Sequence, residues 1–192
     1  MNAITLKNIT KSFGDKVVLS DLNAVFEAGK ISVIMGESGC GKTTLINIIM
    51  GLEKADSGEL SGIPKRMSAV FQEDCLCEDF SAISNIKAIV GKKLSKKEVA
   101  KALTELGLTA KDISSPVREL SGGMKRRVVI ARAILADADL IIMDEPFKGL
   151  DEGTRRTVIE YVRRKTAGKT LIVITHSPEE VDLLGGCKVI MM

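Results

Sequence analysis

Glycine, lysine and threonine residues early in the chain follow the pattern Gly-x4-Gly-Lys-Thr, which starts at Gly36 and ends with Lys42 and Thr43. Glycines allow successive backbone N–H groups to point at one anion, so the pattern predicts a phosphate-binding loop. Lys42 would contact the β- and γ-phosphates of a nucleotide, and the Thr43 hydroxyl would bind Mg²⁺. A glycine-rich turn that binds nothing would rarely have the complete pattern by chance. The predicted nucleotide-binding residues of this loop are Gly36, Glu37, Ser38, Gly39, Cys40, Gly41, Lys42, Thr43 and Thr44.

Two acids, Asp144 and Glu145, follow the apolar run from Leu140 to Met143. Such a run predicts a buried parallel strand, and α/β sheets bind ligands at the carboxyl ends of their strands. Asp144 could hold Mg²⁺ through its water shell, and Glu145 could polarise a water molecule against the γ-phosphate. His176, the only histidine, follows a second apolar run at 170–175. It is a candidate for the same edge, although a lone histidine is more often structural.

Three further motifs permit more than one interpretation. Ser121-Gly122-Gly123 begins a predicted helix and is either a second anion-binding helix N-terminus or an ordinary helix cap, with neither favoured. Phe13, which precedes a turn, is interpreted from the residues alone as a packing residue rather than a ring that stacks on adenine. The basic residues Lys125-Arg126-Arg127 are interpreted as a solvated helix face rather than a nucleic-acid surface.

Hydrophobic periodicity predicts the elements that position these residues. The middle of the chain is predicted to be helical and lies between two α/β pieces, which indicates an inserted helical subdomain. A capping-box pattern, Ser95-Lys-Lys-Glu98, begins one of its helices. The predicted elements are an antiparallel hairpin in 4–26, strands at 31–35, 67–71, 140–143, 170–175 and 189–192, an irregular acidic segment at 73–80, and helices near 45–49, 83–90, 95–107, 120–135 and 152–165.

The composition is that of a globular protein, with 45% hydrophobic and 28% charged residues in a chain of 192 residues, a length typical of one domain. The net charge of +3 is too small to indicate nucleic-acid binding by itself. The four cysteines lack C-x2-C spacing, so we expect reduced thiols and no metal site at Cys75 and Cys77. The sequence has no signal-peptide pattern and no run of about eighteen apolar residues, so a membrane role is expected only through a partner.

In this order, the motifs resemble those of the ATP-binding cassette (ABC) ATPase domain of ABC transporters, from Ile4 to Met192. The resemblance implies an α/β fold: a P-loop NTPase core with a mostly parallel sheet, a small antiparallel β-subdomain and an inserted helical subdomain. The implied single domain comprises 1–192, with the core and the β-subdomain in 1–72 and 139–192 and the helical subdomain in about 73–138. The matching motifs are the phosphate loop 36–43, Gln72, Leu120-Ser121-Gly122-Gly123, Asp144-Glu145, Gly149-Leu150-Asp151 and His176.

The same resemblance implies a Mg²⁺-dependent ATPase and a role for each motif. Glu145, His176 and Gln72 are the implied catalytic residues, with His176 at the γ-phosphate and Gln72 sensing that phosphate. Thr43, Gln72 and Asp144 are the implied ligands of Mg²⁺. Phe13 is implied to stack on adenine, which replaces its interpretation as a packing residue.

The resemblance further implies a head-to-tail dimer with two ATP molecules between its subunits. Ser121, Gly122 and Gly123 are therefore implied to contact the ATP of the opposite copy, and Asp151 to cross the interface. Met124 departs from the family, in which glutamine is most common at this position, and the short segment 58–67 implies a reduced β-subdomain.

The favoured function is that of an ATPase subunit that powers a membrane ABC transporter, with small-molecule import favoured over export. The implied partners are a transmembrane permease that contacts residues 73–90, a second identical or different ABC ATPase subunit, and a substrate-binding protein outside the cell. The implied location is the cytoplasm, on the inner face of the cell membrane. A non-transport ABC ATPase that acts on nucleic acid or ribosomes is the alternative, disfavoured because only short helices separate Gln72 from Ser121 and one cassette is present. Glu145 disfavours a nucleotide-binding scaffold without turnover.

Overall fold

The computed structural model describes residues 2–192, in which eight strands form two sheets and are accompanied by seven α-helices. Met1, the first residue of the predicted segment 1–72, lies outside the described residues. The strands are β1 (Ile4–Phe13), β2 (Lys16–Phe26), β3 (Ile31–Met35), β4 (Ser57–Ser61), β5 (Met67–Val70), β6 (Leu140–Asp144), β7 (Thr170–Ile174) and β8 (Lys188–Met191). The helices are α1 (Lys42–Ile49), α2 (Ala82–Val90), α3 (Lys96–Glu105), α4 (Ala110–Ser114), α5 (Gly122–Leu135), α6 (Glu152–Lys165) and α7 (Pro178–Leu184), with a short 3-10 helix at Val117–Glu119.

Five strands form a parallel sheet in the order β5-β6-β7-β3-β8. Every residue of β6 and β7 is buried, which explains why both strands are apolar runs rather than alternating ones. The pairing of Asp144 with Ile174 aligns the carboxyl ends of β6 and β7, and β3, the strand before the phosphate loop, lies beside β7. The predicted functional segments therefore meet at one edge of the sheet.

The remaining three strands form a separate antiparallel sheet in the order β2-β1-β4. Its hairpin turn lies between Phe13 and Lys16, which pair at the end of β1. The predicted α/β fold, with a mostly parallel sheet and a small antiparallel sheet, is confirmed by these two sheets.

Helices α2 to α5 follow one another between β5 and β6, where the sequence predicts an inserted helical region. The capping box of α3 is present: the Ser95 hydroxyl accepts a hydrogen bond from the Glu98 N–H, and the Glu98 carboxylate accepts one from the Ser95 N–H. The division of the chain into a core and a helical subdomain stays a prediction. Among the helices described in residues 2–192, none combines the length and apolar character needed to cross a membrane.

Tyr161 is one of the largest fully buried side chains and lies on α6 with 2% of its surface exposed. Two cationic groups approach its ring, at 5.8 Å for the Arg164 guanidinium carbon and 5.5 Å for Lys165 Nζ. Within residues 2–192, its hydroxyl has no hydrogen-bond partner. Burial raises the pKa of Tyr161 from 10.0 to about 12, because the charged phenolate is disfavoured in this surrounding.

Candidate functional site

The phosphate loop connects β3 to α1 with a backbone that only glycine accommodates at two points. Gly41, the residue before α1, has φ of 100°, and a Cβ atom there would lie 2.7 Å from Leu19 Cδ2. A Cβ atom on Gly36 would lie 2.6 Å from the Met192 carbonyl oxygen. The loop is therefore packed closely against β2 and against Met192, and a larger residue at either glycine would displace its backbone.

Lys42 is buried within this loop as the first residue of α1. Its Nζ donates hydrogen bonds to the carbonyl oxygens of Gly36, at 2.9 Å, and Glu37, at 2.7 Å. Cys40 Sγ lies 3.7 Å from the same Nζ. The ammonium is thus held against the backbone of the loop, close to where the loop would bind a phosphate.

Thr43 and Asp144 form a hydrogen bond across the site, with Thr43 Oγ1 donating to Asp144 Oδ2 at 3.2 Å. Burial raises the pKa of Asp144, with a smaller contribution from the Glu145 charge and an opposing one from the Thr43 hydrogen bond. Hydroxyl and carboxylate oxygens suit Mg²⁺, which takes one or two protein carboxylates and completes its shell with phosphates and water. No group of three or more His, Cys, Asp or Glu side chains that could hold a metal occurs in the described part of the chain.

Glu145 follows β6 in a left-handed conformation, with φ of 46°, and its N–H donates to the Ile174 carbonyl at 3.0 Å. Its mostly buried carboxylate lies between two groups: Oε1 is 3.0 Å from His176 Nε2, and Oε2 is 3.1 Å from Lys148 Nζ. The Lys148 contact is an ion pair without hydrogen-bond alignment, since Oε2 lacks a hydrogen-bond partner among the described residues. A non-glycine residue at this φ costs about 1–3 kcal/mol, so the surrounding contacts must hold Glu145 in place.

A cleft of about 470 Å³, the loop cleft, brings most of the predicted site residues together. Phe13 lies at its margin, half-exposed, and Gln72 reaches it from the segment after β5. His176 joins the site through its contact with Glu145. The residues that line the loop cleft are Phe13, Lys16, Val18, Ser38, Gly39, Gly41, Lys42, Thr43, Thr44, Gln72, Asp144 and Glu145.

The Ser121-Gly122-Gly123 segment lies apart from the phosphate loop, at a second cleft of about 410 Å³, the α5 cleft. Ser121 caps its own helix, and its hydroxyl accepts a hydrogen bond from the Met124 N–H at 3.3 Å. Within one copy of the chain, this segment and the phosphate loop therefore serve different clefts, which share only two residues, Gln72 and Glu145. The residues that line the α5 cleft are Gln72, Asp74, Gly122, Gly123, Arg126, Glu145, Lys148 and Gly149.

The interpretation of Lys125-Arg126-Arg127 as a solvated face is wrong for Arg126, which is only 6% exposed. Arg126 shares one face of α5 with the buried residues Ile130 and Ala133, four and seven positions later, and this spacing was the available signal. Arg127 is partly buried, which lowers its pKa, and it donates to the Leu106 carbonyl. Sequence reasoning also missed Lys148, because nothing in the sequence indicates its contact with Glu145.

This chain is similar in sequence to known ATP-binding proteins. The model of the ABC transporter family matches residues 19–148. The Nod factor export ATP-binding protein I of Cupriavidus metallidurans is 36% identical over 94% of this chain and 65% of its own length. The aliphatic sulfonates import ATP-binding protein SsuB 3 of Rhodococcus jostii is 36% identical over 93% of this chain and 67% of its own length. The chain thus spans about two thirds of the length of these relatives.

A solved bacterial ABC transporter cassette, MJ0796, is similar in structure. Its dimeric structure has a TM-score of 0.87 and 27% sequence identity, and the match covers 98% of this chain and 94% of the cassette. A second dimeric structure of that cassette, in a post-hydrolysis state bound to ADP and Pi, has a TM-score of 0.86. The likeness extends to both sheets and to the helices between β5 and β6, since it covers nearly the whole chain.

Proposed function

Because this chain belongs to the ABC transporter family, we propose that it is an ATP-binding and ATP-hydrolysing subunit that powers a membrane transporter. The observation that supports this most is the joint placement of Lys42, Thr43, Asp144 and Glu145 at the loop cleft. A phosphate-binding cation, a hydroxyl beside a carboxylate, and a second carboxylate within one cleft are the groups that phosphoryl transfer to water requires.

ATP binds in the loop cleft with its phosphates in the loop 36–44 and its adenine on the half-exposed ring of Phe13. Lys42 neutralises charge at the β- and γ-phosphates. Thr43, Asp144 and Gln72 would hold Mg²⁺, which would supply positive charge next to the phosphate oxygens.

Glu145 is the residue that orients and polarises the attacking water. Its carboxylate is mostly buried and is held by His176 Nε2 at 3.0 Å, so its direction is fixed before a nucleotide binds. In this proposal, His176 both orients Glu145 and reaches the γ-phosphate.

Two copies of a cassette form the complete site, with the partner being either the same chain or a related subunit. Gly122 and Gly123 lie at the start of a 14-residue helix, where backbone N–H groups favour an anion, yet they line a different cleft from the phosphate loop. A head-to-tail arrangement places the Ser121-Gly122-Gly123 segment of one copy over the loop cleft of the other, with Asp151 at the interface. The dimeric state of MJ0796 supports this arrangement.

A membrane-spanning permease binds at residues 73–90, on the cytoplasmic face of the cell membrane. Two large apolar side chains are exposed there, Phe80 at 54% and Ile89 at 60%, and a transmembrane partner could cover both. We favour import of a small molecule, together with a substrate-binding protein outside the cell. The sulfonate relative is named as an import protein, whereas the Nod factor relative is named as an export protein.

Glu145→Gln tests the ATPase. The substitution keeps the size and the contact with His176 but removes the base, so hydrolysis should fall by about 10²–10⁴-fold while ATP still binds. The variant should therefore accumulate ATP-bound dimers in gel filtration. Glu73→Gln, a neighbouring exposed acid next to Gln72, is the matched control and should hydrolyse ATP like the wild type. Normal hydrolysis by Glu145→Gln would refute the role of Glu145.

The transport role is tested separately by purifying the chain from membranes and cross-linking it through residues 73–90. A membrane-spanning protein should be recovered, and Phe80→Asp should abolish its recovery without changing ATP affinity. Recovery of ribosomes or nucleic acid instead, in a salt-sensitive manner, would favour the non-transport alternative.

A further inference from the structure

We infer that Arg126 is a positioning residue for hydrolysis: its guanidinium holds the backbone beside Glu145 and the backbone beside Gln72 in one fixed arrangement. The inference rests on the proposed ATPase function. Arg126 lies on α5 and is 6% exposed, and its three nitrogens contact two separate segments of the chain. Neither the phosphate-loop pattern nor the acidic pair at the end of β6 indicates such a role.

The first segment is the end of β6, where the proposed metal ligand and base lie. Arg126 Nη2 donates to the carbonyl oxygens of Asp144, at 2.6 Å, and Glu145, at 2.9 Å. Arg126 Nε donates to the carbonyl of Pro146 at 3.1 Å. Three consecutive carbonyls are thereby fixed around Glu145, whose φ of 46° requires such support.

The second segment follows β5 and includes Gln72. Arg126 Nη1 donates to the carbonyl oxygen of Phe71 and lies 3.5 Å from that of Gln72. The same nitrogen is 3.3 Å from Asp74 Oδ1, the only carboxylate that pairs with Arg126 among the described residues. The backbone on both sides of Gln72 is therefore joined to the backbone at Glu145 through one side chain.

A guanidinium is suited to this role because it is planar and directs five N–H donors along fixed directions. An ammonium presents its donors from a single atom and could serve one segment at a time. A buried guanidinium whose partners are one partly exposed carboxylate and several carbonyl oxygens costs more free energy than a buried apolar side chain. A charged residue at this buried position fits a positioning role better than a purely stabilising one.

Arg126 also connects the two clefts. It lies one turn into α5, the helix that begins with Gly122 and Gly123, and both Gln72 and Glu145 reach both clefts. A displacement of α5, such as contact with a second copy would cause, therefore acts directly on the position of Gln72 and Glu145.

The test compares Arg126→Lys and Arg126→Met with Arg132→Met in the full chain. Arg132 lies on the same helix and donates to the carbonyls of Cys75, at 2.7 Å, and Asp74, at 3.1 Å, so it contacts the segment after β5 but not the end of β6. We would measure kcat and KM for ATP hydrolysis, the affinity for a fluorescent ATP analogue, and thermal unfolding by circular dichroism.

Both Arg126 variants should lose about 10- to 100-fold in kcat, because a misplacement of about 1 Å has an effect of this size. Their KM and nucleotide affinity should stay within about threefold, since the phosphate loop is untouched. Arg132→Met should keep kcat within about twofold of the wild type.

Three results would overturn the inference. One is a folded Arg126→Lys variant with kcat within about twofold of the wild type. Another is an equal loss of kcat in Arg132→Met, which would indicate a general effect of α5 packing. The third is loss of cooperative unfolding in both Arg126 variants, which would make Arg126 a stability residue. A wild-type chain that does not hydrolyse ATP would instead contradict the proposed function.

Discussion

Replacing Tyr161 by phenylalanine should stabilise the protein, and the gain should grow as the pH rises. The hydroxyl of Tyr161 is buried without a hydrogen-bond partner within residues 2–192, so the folded state has removed it from water without compensation. Tyr161→Phe removes that group and keeps the ring against Arg164 and Lys165.

The stabilisation expected from Tyr161→Phe has two parts. At neutral pH, relief of an unpaired buried hydroxyl should add about 1 kcal/mol to the free energy of unfolding. At alkaline pH, the pKa of about 12 in the folded state, against 10.0 for a free tyrosine, adds up to about 3 kcal/mol to the difference in the free energy of unfolding. The sign follows from linkage: the folded state favours the protonated phenol, so this stability is present below pH 10 and is lost as the pH rises from 10 towards 12.

Two measurements check the prediction. Urea unfolding followed by circular dichroism should show a slightly higher free energy of unfolding for Tyr161→Phe at pH 7 and a larger difference near pH 11. Lysine titration occurs in both proteins and therefore cancels in the comparison. Because the chain has one tyrosine and no tryptophan, tyrosinate absorbance reports Tyr161 alone. An absorbance midpoint near pH 10 in a protein that stays folded would refute the reasoning, as would a Tyr161→Phe variant less stable than the wild type.

Four other substitutions have expected outcomes at the site. Asp144→Asn should leave the nucleotide-free protein at least as stable as the wild type, because burial opposes the Asp144 charge, and a large loss of stability would contradict this. The same substitution should weaken Mg²⁺-dependent ATP binding about tenfold, measured by titration with and without Mg²⁺. Gly41→Ala should lower the free energy of unfolding, measured by denaturant titration, by about 1–3 kcal/mol from backbone strain and more from contact with Leu19. Gly39 has φ of 82°, and a Cβ atom added there would have no atom within 4 Å beyond its chain neighbours, so Gly39→Ala should show the strain alone. Lys148→Met should raise ATP turnover by up to about fivefold, since it frees the mostly buried Glu145 carboxylate from a largely exposed lysine, an ion pair worth up to about 1 kcal/mol. A tenfold fall in turnover would mean that Lys148 contacts the nucleotide.

Local signals predicted the elements that reach the site. The apolar runs of β3, β6 and β7 indicated buried parallel strands, and the glycine spacing indicated the loop, because each signal is contained within a few residues. The capping box at Ser95 predicted the start of α3 for the same reason.

Contacts between distant segments could not be predicted from the sequence. Arg126 contacts carbonyl oxygens near residues 71 and 145, and its basic neighbours suggested a solvated face, because a charge is usually exposed unless the fold supplies acceptors. The contact of Glu145 with His176 likewise depends on the pairing of β6 with β7. The separation of Gly122 from the phosphate loop followed only from the family resemblance, since periodicity places neither segment relative to the other.

The separation of the loop cleft from the α5 cleft has a genetic consequence in the proposed head-to-tail pair. A defect at Lys42 disables the site formed by its own copy, whereas a defect at Ser121 disables the site formed by the other copy. When two inactive alleles, one with each defect, are expressed together, each mixed pair has both defects in one site and none in the other. Complementation between alleles should therefore restore part of the activity, while two alleles altered in the same cleft should not complement.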